Sequence, residues 1–194
     1  MAELGGGDAS VFDADNRSGV NALAKIAGRL LHRYRHRRAR RQLRRVRPRS
    51  ILVVCHGNIC RSPYLEAVLR SLLPDVRVSS AGLVGPGRSV PAHGISVAHR
   101  RGLDLTVHRS RLLTREVLAS VDLVIVMDEA QARYLVEGVG ILEDRVIIAG
   151  DLDPLAGARG IRDPWLEPLE VFETSYARLD RCGAALAESL QFDL

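Results

Sequence analysis

Ile51-Leu52-Val53-Val54-Cys55-His56-Gly57-Asn58-Ile59-Cys60-Arg61-Ser62-Pro63 is the stretch that decides the fold. Four apolar, mostly β-branched residues predict a buried strand, and the helical pattern that follows the loop has Pro63 in its first turn, where a missing N–H costs nothing. A buried strand that ends in a glycine-containing loop at a helix N-terminus aims several backbone N–H groups and the positive end of the helix dipole at one point. The loop therefore reads as a cradle for a phosphate-sized anion. No Gly-Lys-Ser/Thr follows, which excludes a Walker loop.

Two side chains give the cradle chemistry. Cys55 opens it and Arg61 closes it, so the guanidinium can fold over a held oxyanion and offer two parallel donors. Cys55 then lies beneath the anion, and the dipole and N–H groups that bind the anion also stabilise a thiolate, which makes Cys55 a nucleophile. Ser62, at the loop exit, is expected to donate a hydrogen bond to that sulfur.

From Cys55 to Pro63 the sequence resembles the signature Cys-x-Gly-Asn-Ile-Cys-Arg-Ser-Pro of the low-molecular-weight protein tyrosine phosphatases. The resemblance implies a four-stranded parallel sheet flanked by helices, a phosphocysteine intermediate, and a phosphate loop from His56 to Ser62 that includes Gly57, Asn58, Ile59 and Cys60. It implies no metal and no other cofactor. His56 departs from the Leu or Thr more usual in the family. Ile59 matches the tyrosine phosphatases, whereas a Thr there accompanies phosphoarginine specificity.

The rest of the site follows along the chain. Val76 to Gly82 reads as a short strand ending Ser79-Ser80-Ala81-Gly82, and the resemblance gives Ser80 a part in holding the loop in shape. Gly82 to Gly87 resembles the variable wall beside the family's active site. The resemblance makes His108 a buried support of an Asn58–Ser62–Ser80 network. Asp128, after the apolar run Val121 to Met127, is expected to have a positioning role. A leaving oxygen needs a proton, and in Ile161-Arg162-Asp163-Pro164-Trp165 the proline keeps Asp163 extended, so that its carboxyl can project over the cradle. The family's general acid is the Asp of such an Ile-x-Asp-Pro loop. Asp151 and Asp153 are rivals, since Asp153-Pro154 is a second Asp-Pro pair. Trp165 stands where the family lines its pocket mouth with an aromatic residue. Cys60 reads as a redox partner of Cys55, with plain packing as its alternative, and Cys182 as core.

Composition sets the outer limits. A chain of 194 residues, 46% of them hydrophobic, can bury one good-sized core. Three cysteines argue against a disulfide framework and for a reducing cytosol, and their spacing does not make a zinc site. The net charge of +5 is uneven: thirteen basic against four acidic residues give residues 1–49 a charge of +9, leaving −4 for the remainder. Residues 1–18 read as disordered. From Val20, the apolar residues Leu23, Ile26, Ala27, Leu30, Leu31 and Tyr34 recur at helical spacing among arginines, predicting a basic amphipathic helix.

The sequence thus predicts a disordered segment and basic helix over 1–49, then a doubly wound, four-stranded parallel α/β domain over 50–194. The expected activity is hydrolysis of protein phosphotyrosine, with Cys55, Arg61 and Asp163 catalytic. On the same fold, a phosphoarginine phosphatase, an arsenate reductase and a non-catalytic phospho-binding module are the alternatives. The resemblance implies a cytoplasmic enzyme acting on phosphotyrosine-bearing proteins, among them a bacterial tyrosine kinase of polysaccharide synthesis. The basic stretch at 20–49 reads as a solvated tail, with weak contact to a membrane surface or an acidic partner as its functional alternative ahead of nucleic acid.

Overall fold

The computed structural model describes residues 10–155 and 157–191. Its frame is a four-stranded, all-parallel sheet in the order β2-β1-β3-β4, made of β1 (Ser50–Cys55), β2 (Arg77–Gly82), β3 (Leu123–Val126) and β4 (Val146–Ile148). Helices α2 (Arg61–Leu72), α3 (Ala92–Arg100), α4 (Arg115–Ala119), α5 (Glu129–Arg133) and α6 (Leu169–Gln191) fill the connections and the C-terminus. This is the doubly wound architecture expected.

The sheet is buried on both faces, so its strands read as continuous apolar runs. In β1, Ile51 and Val53 join the core formed with Tyr64, Leu65, Phe172, Tyr176 and Leu179 of α2 and α6. Leu52 and Val54 join the opposite core with Leu118, Val124, Val126 and Leu135. β1 has β2 on one side and β3 on the other, and a crevice at the carboxyl ends of such strands is where open α/β sheets hold ligands. Cys55 is the last residue of β1.

Helix α1 (Ser10–Val46) departs from expectation at its start. It begins at Ser10, so residues 10–18 are helical rather than disordered; a helix formed downstream extends by one hydrogen bond for each residue it fixes. Residues 1–9 lie outside the described residues. The face α1 buries is not the apolar one: Leu23 and Tyr34 remain 68% and 63% exposed, whereas His32, Ala39 and Leu43 are buried. With His36 these residues follow an i, i+4, i+7, i+11 rhythm along one helix face. His32 Nε2 donates to the Asp153 carbonyl at 2.9 Å and His36 Nδ1 to that of Asp151 at 3.1 Å. Arg35 lies 3.3 Å from the Asp151 carboxylate and Arg40 3.2 Å from Glu188. α1 is thus docked on the body rather than trailing from it.

Smaller differences lie in the connections. α4 carries no periodicity signal, being five residues long, and is capped by Thr114, whose hydroxyl accepts from Val117 N. Helix α5 is followed by a π-helical turn at Tyr134–Val139 that ends on Gly140 in the left-handed region. Among the described residues, no helix is long and apolar enough to cross a membrane.

Candidate active site

The loop after β1 wraps around the Cys55 sulfur. Ser62 Oγ lies 3.0 Å from Cys55 Sγ, and the Asn58 backbone N–H donates to the sulfur at 3.3 Å. Asn58 takes φ +51°, a left-handed conformation that an Asn tolerates better than most residues and that here is fixed from four sides. Its Nδ2 donates to Ser62 Oγ at 2.9 Å and to Ser80 Oγ at 2.7 Å. Its Oδ1 accepts from Arg111 N at 2.9 Å, and its carbonyl accepts from His108 Nε2 at 2.8 Å. Because Ser62 Oγ already accepts from Asn58, its own proton is left for the sulfur. The structure thus brings Asn58, Ser62, Ser80 and His108 together.

Several supports carry no signal in the loop sequence. Ser80 Oγ donates onward to Glu66 of α2 at 2.5 Å. Tyr176 of α6 donates to the Cys60 carbonyl at 3.1 Å and stacks on Tyr64 with ring centroids 3.7 Å apart. Gly82 is required for a packing reason: a Cβ there would stand 2.8 Å from Asn58 N and from the Gly57 carbonyl carbon. Cys60 sits buried at the N-cap of α2, and burial, then the nearby Asp163 charge, pushes its thiol pKa up.

Arg61 is 4% exposed and spans the site. Its Nη1 donates to the Ile161 carbonyl at 3.0 Å, and its Nη2 pairs with Asp163 Oδ2. Its Nε is buried with no hydrogen-bond partner. Asp163 Oδ1 also accepts from Trp165 N at 3.3 Å, the short local bond that an Asp-Pro turn makes. Cys55, His56, Gly57, Ile59, Cys60, Val84, Arg88, Asp163 and Trp165 line one cavity of about 110 Å³.

The rival acids stand elsewhere. The buried Asp153 carboxylate is taken by Arg178 at 2.9 Å and by Arg181 at 2.9 and 3.0 Å. Asp151 is held by Arg159 and Arg35. Asp128 caps α5, accepting from Gln131 N at 2.9 Å, and approaches Arg61 Nη1 to 3.9 Å. Cys182 lies in the core.

The arrangement is a thiol under a ring of donors, facing a carboxyl across a guanidinium. The family model for low molecular weight phosphotyrosine protein phosphatase matches residues 50–194. The chain belongs to that family. A curated relative, the probable low molecular weight protein-tyrosine-phosphatase EpsP of Ralstonia nicotianae, is 36% identical over 135 residues, covering 69% of this chain and 90% of its own. Among solved structures, Vibrio vulnificus Wzb in complex with benzylphosphonate is 33% identical with a TM-score of 0.66, covering 72% of this chain and 97% of its own. The YwlE arginine phosphatase of Geobacillus stearothermophilus is 31% identical with a TM-score of 0.68, covering 74% and 94%. The family's match begins at residue 50, so α1 lies outside it.

Proposed function

We propose that this member of the low molecular weight phosphatase family hydrolyses protein phosphotyrosine, with Cys55 as nucleophile, Arg61 as phosphate clamp and Asp163 as general acid and base. The observation that carries the reading is the shared cavity: Cys55 and Asp163 line it together, and Arg61 ties the Asp163 loop to the Cys55 loop. In the first step the Cys55 thiolate forms a bond to phosphorus, the bond to the ester oxygen breaks, and Asp163 gives its proton to that oxygen. In the second, Asp163 takes a proton from water as the water attacks phosphorus, and the sulfur leaves as thiolate. The loop amides from His56 to Ser62 and Arg61, whose buried Nε has no protein partner, stabilise the equatorial oxygens.

Ile59 and Trp165 favour an aryl ester, because an apolar floor and an aromatic wall suit a phenyl ring. The likeness to an arginine phosphatase makes phosphoarginine the substrate to compare. Against arsenate reduction stands Cys182, which is buried in the core and unavailable as an exchange thiol. The test is hydrolysis of p-nitrophenyl phosphate in EDTA, then of phosphotyrosine and phosphoarginine peptides. Wild-type turnover that Cys55→Ser abolishes, with phosphotyrosine preferred, is expected; phosphate binding without turnover would leave a phospho-binding module.

The natural partner under this reading is a phosphotyrosine protein at the membrane, such as a bacterial tyrosine kinase of polysaccharide synthesis. Support comes from α1, whose exposed Leu23, Ile26, Leu30 and Tyr34 stand beside Arg29, Arg33, Arg37 and Arg41, the composition of a helix that lies on an anionic lipid surface. Sedimentation with phosphatidylglycerol vesicles but not with phosphatidylcholine vesicles, weakened by Leu30→Glu, is the expected result.

A further inference from the structure

The guanidinium of Arg88 occupies a built seat at the rim of the substrate cavity. Its Nε donates to the Gly85 carbonyl at 2.9 Å, and its Nη2 donates to the carbonyls of Gly57 and Val84, each at 3.1 Å. Two glycines make the room. A Cβ at Gly57 would stand 2.7 Å from Arg88 Nη2, and one at Gly85, which has φ +64°, would stand 2.5 Å from Arg88 Nε. Ser110 fixes the backbone below: its Oγ accepts from Arg88 N at 2.9 Å and donates to the Gly85 carbonyl at 2.7 Å.

These partners are all neutral carbonyls. They orient the guanidinium without neutralising it, and they leave Nη1 with no protein partner among the described residues. The two arginines of the acid side of the site differ in this respect: Arg61 is paired with Asp163, and Arg162 with Glu167. A preoriented, half-buried arginine with its charge unpaired recognises carboxylates and phosphates well, since little side-chain entropy remains to be lost.

We infer that Arg88 is a specificity-determining residue that binds an acidic side chain next to the phosphotyrosine, so that the enzyme prefers acidic phosphotyrosine peptides. Resting on the phosphotyrosine reading above, this assigns Arg88 to the peptide rather than to the phosphoryl group, for which the loop amides and Arg61 already supply donors. A pair at an open rim is formed in the ground state and kept in the transition state, so the preference belongs in KM rather than kcat.

The test compares two phosphotyrosine peptides that differ only in carrying Glu or Gln on both sides of the phosphotyrosine. Wild type is expected to favour the Glu peptide in kcat/KM by about two- to fivefold at low salt, as exposed ion pairs do. At about 0.5 M salt the ratio should approach one, because screening acts over only a few ångströms there. Arg88→Met should bring the ratio to one at any salt, and Arg88→Lys should restore part of it. A wild-type ratio near one at low salt would overturn the inference, and that measurement does not depend on the variants folding. Equal loss on both peptides and on p-nitrophenyl phosphate in Arg88→Met, with the ratio kept, would also overturn it by assigning Arg88 to the phosphoryl group. Absence of any phosphotyrosine turnover by wild type would instead overturn the reading on which the inference rests.

Discussion

Replacing Asp163 with Asn separates two roles that the structure superimposes on one carboxylate. Asn keeps the shape of the side chain and an oxygen to accept from Trp165 N, but it can neither give nor take a proton. Loss of a general acid costs about 10²–10⁴ in rate. The cost depends on the leaving group: p-nitrophenol departs readily as the anion and should fall at the low end, whereas unactivated phenols and tyrosine should fall at the high end. The opposite effect is expected on anion binding. Asp163 pairs with Arg61, so an incoming dianion competes with a carboxylate for the same guanidinium. With the Asp163 side chain 42% exposed, the pair is worth about 0.2–1 kcal/mol, which predicts phosphate inhibition tighter by a factor of about 1.4 to 5 in Asp163→Asn. Steady-state rates on a series of aryl phosphates, with phosphate as competitive inhibitor, measure both. Equal rate loss across the series together with weaker phosphate binding would refute the assignment and make Asp163 a mere positioner of Arg61.

Other expectations follow from contacts away from the reacting atoms. Gly82→Ala pushes a methyl into the backbone of the loop and should cost about 1–3 kcal/mol in chemical denaturation along with most of the turnover, since the loop must move to admit it. Leu43→Ala, at a fully buried position of α1, should cost about 2–5 kcal/mol, lowering the melting temperature of the whole molecule; an unchanged melt would mean that α1 does not dock. Burial opposes ionisation of Asp153, but Arg181 and Arg178 hold its pKa below the ordinary value. A group depressed in the folded state contributes stability above its unfolded value of about 3.9 and loses it as pH falls toward the folded value. The stability gap between wild type and Asp153→Asn should therefore be widest above about pH 4 and narrow in acid, and a gap independent of pH would contradict the pairing.

What the sequence disclosed of the site depended on distance along the chain. The Cys55 loop is legible because strand, loop and helix start are contiguous, and a run such as Ile51 to Val54 has few other ways to be buried. Asp163 is legible through Pro164, a local constraint. The resemblance already preferred it to Asp151 and Asp153; what the sequence could not show is why those two are occupied, since the arginines on their carboxylates come from residues as distant as Arg35 and Arg181. The docking face of α1 carried no apolar signal. Leu23, Ile26, Leu30, Leu31 and Tyr34 stay exposed, whereas the helix buries His32, Ala39 and Leu43 and half-buries His36, with main-chain carbonyls at Asp153 and Asp151 accepting from His32 Nε2 and His36 Nδ1. Glu66, Tyr176 and Arg88 carried no local pattern, and their roles come from hydrogen bonds to backbone or side chains of other elements.

The position of β1 divides the catalytic apparatus by how readily each part comes apart. Cys55 ends an interior strand whose six residues are all buried and whose Ile51 to Val54 are paired on both edges, and amides in such a strand exchange only when the whole molecule opens. Asp163 arrives on an irregular segment with no strand partner, held by Ile161 N to the Met127 carbonyl, by the bonds of Arg61, and by single bonds from Ser175 and Arg178 of α6 to the Arg162 and Gly160 carbonyls. Heating should therefore release the acid segment first and the nucleophile last. Between those temperatures the protein would keep an intact phosphate loop, trap phosphate at the thiol, and turn substrate over poorly, so binding would outlast catalysis.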